Sequence, residues 1–235
     1  MKRRNSGFTI IEVTLFLALT GALTVGLFAV ASNSIQRQQY KDAVQSFASH
    51  LRDEYARVIS VENDRDNGQS CPIDDADDNV SSRGQSNCVI VGRYIAANNN
   101  GTEYLSYPVY AKSTAAPSGN SWNYTYDTSQ STVYDMNWGA KSRISGTPSD
   151  SLFSFLMYRN PDTGRISIHS DNKQYNPDQI KEIIGLSSES NTQSSEICVY
   201  DDGWFNSERQ SVFLAERAGS GDSITVASAT EGCSD

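Results

Sequence analysis

The longest apolar run of the chain lies close to its N-terminus. Residues 13–31 contain no charge, no proline and no amide side chain. At about 1.5 Å per residue, a helix of this length spans roughly 28 Å, which is close to the thickness of the hydrocarbon core of a bilayer. The run therefore predicts a helix that can cross a membrane.

A different helical pattern follows this run. After Ser32, apolar residues recur at intervals of three and four, at Ile35, Tyr40, Ala43, Val44, Phe47, Leu51, Tyr55, Val58 and Ile59. This spacing places them on one face of a helix. No glycine or proline interrupts residues 29–61. We therefore expect one continuous helix of about fifty residues, with one half in lipid and the other packed on a sheet.

The remainder of the chain has the pattern of short strands. Segments that alternate apolar and polar residues are separated by Gly, Pro, Asn and Ser clusters, namely CVIVGRYIA, EYLSYPVYAK, WNYTYD, SLFSFLMY, GRISIHS, EICVYD, RQSVFLAE and DSITVAS. One short helix is predicted at NPDQIKEIIG, with Asn176 as its cap, Pro177 in its first turn and Gly185 as its terminator. The expected fold class is α+β, a long N-terminal helix packed on a mainly antiparallel sheet.

Charged residues near the N-terminus set the membrane orientation and place one acidic residue at the start of the apolar run. Lys2, Arg3 and Arg4 precede the apolar run, so the positive-inside rule holds the N-terminus in the cytoplasm and places everything after Ser32 outside. Glu12 lies at the near end of the run. An isolated ionised acid in lipid costs about 2.5 kcal/mol or more. Glu12 must therefore lie at the interface, be neutralised or find a positive partner.

A basic leader precedes Gly7 and Phe8, and Thr-Ile-Ile, Glu12 and the apolar helix follow them. In this order they resemble a type IV prepilin, the precursor of pilus and type II secretion pseudopilus subunits. The resemblance implies cleavage by prepilin peptidase between Gly7 and Phe8, and methylation of the new amine. It also implies that Glu12 pairs with the N-terminal amine of a neighbouring subunit, which penalises a wrong axial register. The alternative is a plain membrane anchor with an interfacial glutamate.

This resemblance divides the chain into four parts. Residues 1–7 form a leader, 8–31 a transmembrane and filament-core helix, 32–61 an amphipathic helix, and 62–235 an exported β-rich domain. The implied partners are other pilin subunits, prepilin peptidase and the membrane. The implied location is the cytoplasmic membrane, in a single pass with the C-terminal domain outside, followed by a surface filament or a periplasmic pseudopilus.

The charge balance argues against a nucleic-acid partner. The chain has 19 basic and 28 acidic residues and a formal net charge of −9. An acidic surface repels phosphates, and the Arg and Lys residues are scattered along the exported part. The charge balance therefore disfavours a nucleic-acid partner. The acidic stretch at residues 74–79 lacks the EF-hand spacing, so we expect a solvated loop there, with calcium binding as the alternative.

The four cysteines are most simply two disulfides, because the compartment outside the membrane is oxidising. Three connectivities are open. We favour Cys71 with Cys88 and Cys198 with Cys233, since these sequence-local loops of about 17 and 35 residues would each contribute roughly 3 to 4 kcal/mol. Zinc is disfavoured because the chain has no CxxC and its two histidines are far in sequence from any cysteine.

Residues 98–146 are rich in Tyr, Trp, Asn and Ser. Rigid aromatic rings contribute contact area at low entropic cost, which suits an adhesive surface. The same residues are common in the core of β-sheets, and we favour that interpretation. The candidates for an adhesive surface are Tyr104, Tyr107, Tyr110, Trp122, Tyr124, Tyr126 and Trp138.

No catalytic motif emerges from the sequence. It has no GxSxG, phosphate loop or HExxH, and the SxxK match at Ser170 to Lys173 lacks its companion motifs. We expect a structural protein without enzymatic activity, cofactor or metal, and its size and elaborate loops favour a minor pilin. The alternatives are a minor pseudopilin of type II secretion, a DNA-uptake or adhesive tip pilin and, most remotely, a membrane-tethered hydrolase.

Overall fold

The computed structural model describes residues 9–60, 71–73, 88–116, 119–148, 151–188, 195–200, 209–215 and 223–233. The predicted leader, the Gly7–Phe8 junction and the acidic stretch at 74–79 lie outside these residues. The helices are α1 (Ile10–Ile59) and α2 (Ile180–Ser188). The strands are β1 (Cys88–Asn98), β2 (Glu103–Ala116), β3 (Gly119–Tyr126), β4 (Thr132–Asp135), β5 (Lys141–Ile144), β6 (Phe153–Arg159), β7 (Ile166–Asp171), β8 (Ser195–Tyr200), β9 (Gln210–Leu214) and β10 (Ile224–Ser228).

Helix α1 is continuous over fifty residues, which confirms the expectation drawn from the two adjoining patterns. Its second half buries Ala43, Val44, Phe47, Ala48 and Leu51 completely, at the three- and four-residue spacing that the sequence shows. The large apolar side chains of its first half are all exposed. Among the described residues, α1 is the one helix long and apolar enough to cross a membrane.

The strands form two antiparallel sheets, where the sequence had suggested one. The first sheet has the order β3-β2-β1-β6-β7, and β4 also pairs with β2. The second has the order β10-β9-β8-β5. The described strand pairs are all antiparallel, so the predicted α+β class and antiparallel pairing are confirmed.

The first sheet is covered on both faces. Neighbouring residues of a strand point to opposite faces, and in β6 the buried Phe155 belongs to the core beneath α1 while the buried Leu156 belongs to the core beneath α2. The second sheet adds Ile197 and Val212 to the α1 side. The second half of α1 is therefore enclosed by strands of both sheets.

Gly92 in β1 is required by close packing. The register of β1 against β2 shifts between Ile90 and Gly92. A Cβ atom at position 92 would lie 2.4 Å from the Met157 carbonyl oxygen of β6. Only glycine allows the backbones of these two central strands to approach this closely.

Two disulfides join Cys71 to Cys88 and Cys198 to Cys233, and this is the predicted pairing. The first lies at the start of β1, and the second ties a turn at residues 231–233 to β8. All four cysteines are used in these bridges.

The predicted second helix is present but differs in its limits. Asn176 and Gln179 form a capping box, a 3₁₀ turn covers Pro177–Gln179, and α2 then continues to Ser188. The prediction that Gly185 ends this helix was wrong. Its φ angle is not in the left-handed region typical of a glycine terminator, so the helix passes through it.

Candidate assembly surface on the N-terminal helix

The N-terminal half of α1 presents an apolar surface on all sides. Monomeric soluble proteins rarely expose contiguous apolar patches larger than a few hundred Å². This surface must therefore be covered by lipid or by other protein. Its exposed large side chains are Ile10, Ile11, Val13, Leu15, Phe16, Leu17, Leu19, Leu23, Val25, Leu27, Phe28 and Val30.

The threonines within this half donate their hydroxyl hydrogen bonds to carbonyl groups of the same helix. Thr14 donates to the Ile11 carbonyl at 3.0 Å, and Thr20 donates to the Phe16 carbonyl at 2.9 Å. Thr24 repeats the pattern with the Thr20 carbonyl at 2.7 Å. A hydroxyl donor that is already bonded within its helix adds little cost in an apolar surrounding. These residues therefore leave the first half of α1 compatible with lipid or a dry protein interface.

Glu12 takes part in a capping box at the start of α1. Its carboxylate accepts hydrogen bonds from the Thr9 backbone N–H and hydroxyl, both at 3.2 Å, and its own N–H donates to the Thr9 hydroxyl at 3.4 Å. A capping residue contributes about 1 kcal/mol to a helix, and a negative charge is favourable in its first turn. Glu12 thus has a partner within its own chain. The T-x-x-E spacing of the sequence is the signal for this role.

One side of α1 is held by the segment that runs from β4 into the turn Asn137–Gly139. The hydroxyl of Tyr134 and the amide of Asn137 both donate to the Ser46 hydroxyl, at 3.1 and 3.0 Å. The Trp138 indole N–H donates to the Asp42 carboxylate at 2.9 Å. Since Asp42 and Ser46 are one turn apart on α1, these bonds fix the segment along one face of the helix.

The ring of His50, one turn further along, stacks on Tyr134 at 4.2 Å between ring centroids. Its Nε2 atom is buried and has no hydrogen-bond partner within the described part of the chain. Burial lowers the pKa of His50, and the carboxylates of Glu54 and Asp53 oppose this while Arg57 adds to it. The neutral imidazole is therefore the form that this contact favours.

The opposite side of α1 is held by the second sheet. Tyr40 donates its hydroxyl to the Val199 carbonyl at 2.7 Å and accepts from the Gln210 N–H at 2.7 Å. Arg52 donates to the Ile224 carbonyl at 2.9 Å. These contacts reach α1 from β8, β9 and β10, so the helix and the second sheet form one packed unit.

A buried ion pair joins α1 to the first sheet. Glu54 and Arg93 are 3% and 5% exposed, and Arg93 Nε lies 3.6 Å from the Glu54 carboxylate. Ser106 donates a hydrogen bond to the same carboxylate at 2.9 Å. Breaking such a buried pair by removing one partner costs about 3 to 5 kcal/mol. Helix α1 is consequently a fixed part of the folded domain.

The candidate adhesive aromatics do not form one surface. Tyr104, Tyr110 and Tyr126 are buried, so their assignment to an adhesive surface is corrected to the core. The face of the sheet to which each side chain points decides this. Burial raises the pKa of the Tyr104 hydroxyl well above its usual range, as that of a core tyrosine.

The other four candidates differ in their surroundings. Tyr107, Trp122 and Tyr124 are partly buried against the core beneath α2, and the Trp122 indole donates to the Asp162 carboxylate at 2.8 Å. Burial raises the pKa of Tyr124 to about 12. Trp138 is 61% exposed. It is the member of the set that faces solvent most fully.

Trp138 also lines an open groove along α1. The residue has a φ angle of 59°, in the left-handed region that bulky residues rarely adopt. The groove lies just beyond the apolar half of the helix. Trp138 lines it together with Ile35, Gln38, Gln39, Lys41, Asp42 and Gln45.

The SxxK residues have separate structural partners. Ser170 contacts the Ser195 hydroxyl, and Lys173 lies 4.4 Å from the centroid of the Tyr175 ring. Within the described ranges no group of three His, Cys, Asp or Glu side chains could hold a metal ion.

Comparison with known protein families, with characterised proteins and with solved structures finds no match for this chain.

Proposed function

We propose that this chain is a structural subunit, a minor pilin, of a type IV pilus-like filament. It is made as a membrane-anchored precursor, is cleaved between Gly7 and Phe8, and assembles through α1. The observation that carries the proposal is the single fifty-residue helix, one half of which is exposed and apolar while the other is locked into an α+β domain.

The apolar half of α1 must be shielded from water both before and after assembly. A bilayer supplies it before assembly, because the run has the length of the hydrocarbon core and internally bonded threonines. Neighbouring helices of the same kind supply it in a filament. Hydrogen bonds from both sheets and the Glu54–Arg93 pair keep the folded domain attached to this helix.

The same arrangement also serves a minor pseudopilin of type II secretion, which would use the same processing and the same helix. The two are separated by where the processed chain is found. A minor pilin is recovered with filaments sheared from the cell surface, whereas a pseudopilin stays in the envelope.

Processing is the first test of the proposal. The full chain is produced with and without prepilin peptidase, and the N-terminus is read by mass spectrometry. We expect Phe8 as the N-terminal residue, methylated, when the peptidase is present. A Gly7→Ile variant, which removes the small residue before the junction, is the matched control and should remain uncut. An N-terminus that is the same with and without the peptidase contradicts the proposal.

A further inference from the structure

Trp138 is an unusual residue for its turn. Its φ angle of 59° is one that glycine and asparagine adopt easily and that costs energy for a large side chain. The residue is 61% exposed, so burial in the core does not offset this cost. A strained residue whose side chain the core does not need indicates a functional contact.

The indole ring of Trp138 is held in a fixed orientation. Its N–H donates to the Asp42 carboxylate at 2.9 Å, and the Asn137 amide ties the same turn to the Ser46 hydroxyl at 3.0 Å. A tryptophan side chain has two torsions, so it offers a large contact area at low cost in conformational entropy. Trp138 is therefore a flat, preorganised surface beside the groove.

The lining of the groove is neutral in sum and contains several amides. Lys41 and Asp42 contribute one charge of each sign. The amide members are Gln38, Gln39 and Gln45. A glutamine side chain both donates and accepts hydrogen bonds. A ligand in this groove therefore meets an aromatic face and amide groups, and no net charge.

The Trp138 end of the groove lies in water. If residues 13–31 fill the hydrocarbon core, as the proposed function has them, Asp42 lies about 16 Å beyond its edge, at about 1.5 Å per residue. The headgroup layer is about 5 to 8 Å thick on each side. Trp138, which is bonded to Asp42, is therefore beyond the headgroups and faces the ligands of the aqueous compartment.

Three classes of ligand match this groove poorly. An ion gains little attraction from a lining whose two charges cancel. An apolar helix would desolvate the amides without giving them partners. An extended peptide commonly binds by adding a strand to the free edge of a sheet, whereas this groove is formed by a helix and a turn.

A neutral saccharide matches the groove in both of its features. The face of an indole ring is negative, so it attracts the C–H groups on one face of a sugar ring. Sugar hydroxyls donate and accept hydrogen bonds, as the glutamine amides do. The volume of the groove, about 510 Å³, lies within the range of about 300 to 1,000 Å³ that small-ligand sites occupy.

We propose that the groove between Trp138 and α1 is a binding site for a neutral saccharide. The indole ring stacks on one face of a sugar ring, and the glutamine amides of the lining bind its hydroxyls. This inference goes beyond the structural role in a filament and uses only the membrane anchoring of that proposal, which places Trp138 in water. It gives Trp138 a ligand contact that the buried aromatics of residues 98–146 cannot make.

Tryptophan fluorescence tests this site directly. The full chain carrying Trp122→Phe and Trp204→Phe, which leaves Trp138, is held in a detergent without a sugar headgroup. It is titrated with the tetrasaccharides of glucose, galactose, mannose and N-acetylglucosamine, and with a sulfated tetrasaccharide. The matched control carries Trp138→Phe and Trp204→Phe and leaves Trp122, which packs against the core beneath α2.

We expect a saturable change in the fluorescence of Trp138 with at least one neutral tetrasaccharide, and no change for Trp122. Three results overturn the proposal. They are an equal change for both tryptophans, no change with any of the neutral tetrasaccharides, and a stronger response to the sulfated tetrasaccharide than to every neutral one.

The variant Trp138→Asn separates binding from folding. Asparagine adopts the left-handed φ angle easily, so the unfolding midpoint should match that of the parent. The affinity for the neutral tetrasaccharide, measured by calorimetry, should fall at least about tenfold because the stacked ring is lost. Trp122→Phe should leave this affinity unchanged. An unchanged affinity in Trp138→Asn overturns the proposal.

The amides are tested in the same way. Gln38→Ala and Gln45→Ala should each weaken binding of the tetrasaccharide by about two- to tenfold, as loss of one hydrogen bond predicts. Full affinity in both variants would contradict recognition of the sugar hydroxyls by the lining.

Processing and filament incorporation of Trp138→Asn are measured in the same cells and should match those of the parent. Loss of incorporation with unchanged saccharide affinity assigns the groove to a neighbouring subunit and overturns this inference. A chain that binds the tetrasaccharide through Trp138 but never enters filaments refutes the proposed function and leaves the saccharide site in place.

Discussion

Substitutions at the start of α1 can separate two roles of Glu12. In the folded chain its carboxylate accepts hydrogen bonds from Thr9, and in the proposed filament it pairs with the N-terminal amine of a neighbour. Glu12→Gln keeps an oxygen that can accept from Thr9 but removes the charge. Thr9→Ala removes the capping hydroxyl but keeps the charge, and Glu12→Ala removes the charge together with the carboxylate that accepts from Thr9.

The expected magnitudes differ enough to decide between the roles. Loss of an N-cap costs about 1 kcal/mol, which is roughly a fivefold change in an equilibrium. Removing one partner of a buried ion pair costs about 3 to 5 kcal/mol, which is two orders of magnitude or more. If the charge is paired in the filament, Glu12→Gln should therefore impair assembly far more than Thr9→Ala.

The assay measures the fraction of each variant in sheared filaments, relative to the membrane pool, together with leader cleavage. We expect all three variants to insert and to be cleaved. Incorporation should fall about a hundredfold for Glu12→Gln and Glu12→Ala, and less than about tenfold for Thr9→Ala. If Glu12→Gln assembles like the parent while Thr9→Ala and Glu12→Ala do not, the carboxylate acts through the helix cap and the ion-pair explanation is refuted.

Three further predictions concern the folded domain, measured by denaturant unfolding of the full chain in detergent. Cys233→Ser should lower the free energy of unfolding by about 4 kcal/mol, because it opens a 35-residue loop. An unchanged unfolding midpoint would refute this. Gly92→Ala should lower the free energy of unfolding by about 2 kcal/mol or more, because its Cβ would clash with the Met157 carbonyl. The control Gly185→Ala, whose Cβ would meet no atom within 4 Å, should be neutral or stabilising. Equal effects of the two substitutions would contradict the packing argument. Burial lowers the pKa of His50 below 6.5, so its contribution to the free energy of unfolding is complete above pH 6.5 and should decline as the pH falls below that value. In His50→Gln this decline should be smaller. An identical pH dependence of stability in the two proteins would exclude His50 as the source of the decline.

Helix α1 was predictable because its signal is local. An apolar run followed by three- and four-residue spacing determines a helix and its buried face from neighbouring residues alone. The capping box was equally accessible, since Thr9 and Glu12 have the required spacing. The pairing of the cysteines also followed sequence proximity, and the structure contains it.

The arrangement of the strands and aromatics depends on distant contacts. The alternating segments do not show that β5 leaves the first sheet to pair with β8, because this pairing joins residues more than fifty positions apart. Tyr104 and Trp138 belong to the same aromatic stretch, yet one is completely buried and the other exposed. Tyr104 is buried because of the sheet face to which it points. Trp138 is exposed because it lies in a left-handed turn over α1. The buried Glu54–Arg93 pair likewise requires the docking of α1 on β1.

The most direct test of the proposed function is mass spectrometry of the chain recovered from filaments sheared off the producing cells. The proposal predicts that the filament fraction contains this chain in small amounts relative to the bulk subunit, with an N-terminal peptide that begins at methylated Phe8. Recovery of filament-bound chain with its seven-residue leader intact, or filaments that lack the chain while processed protein accumulates in the envelope, would contradict its role as a pilus subunit.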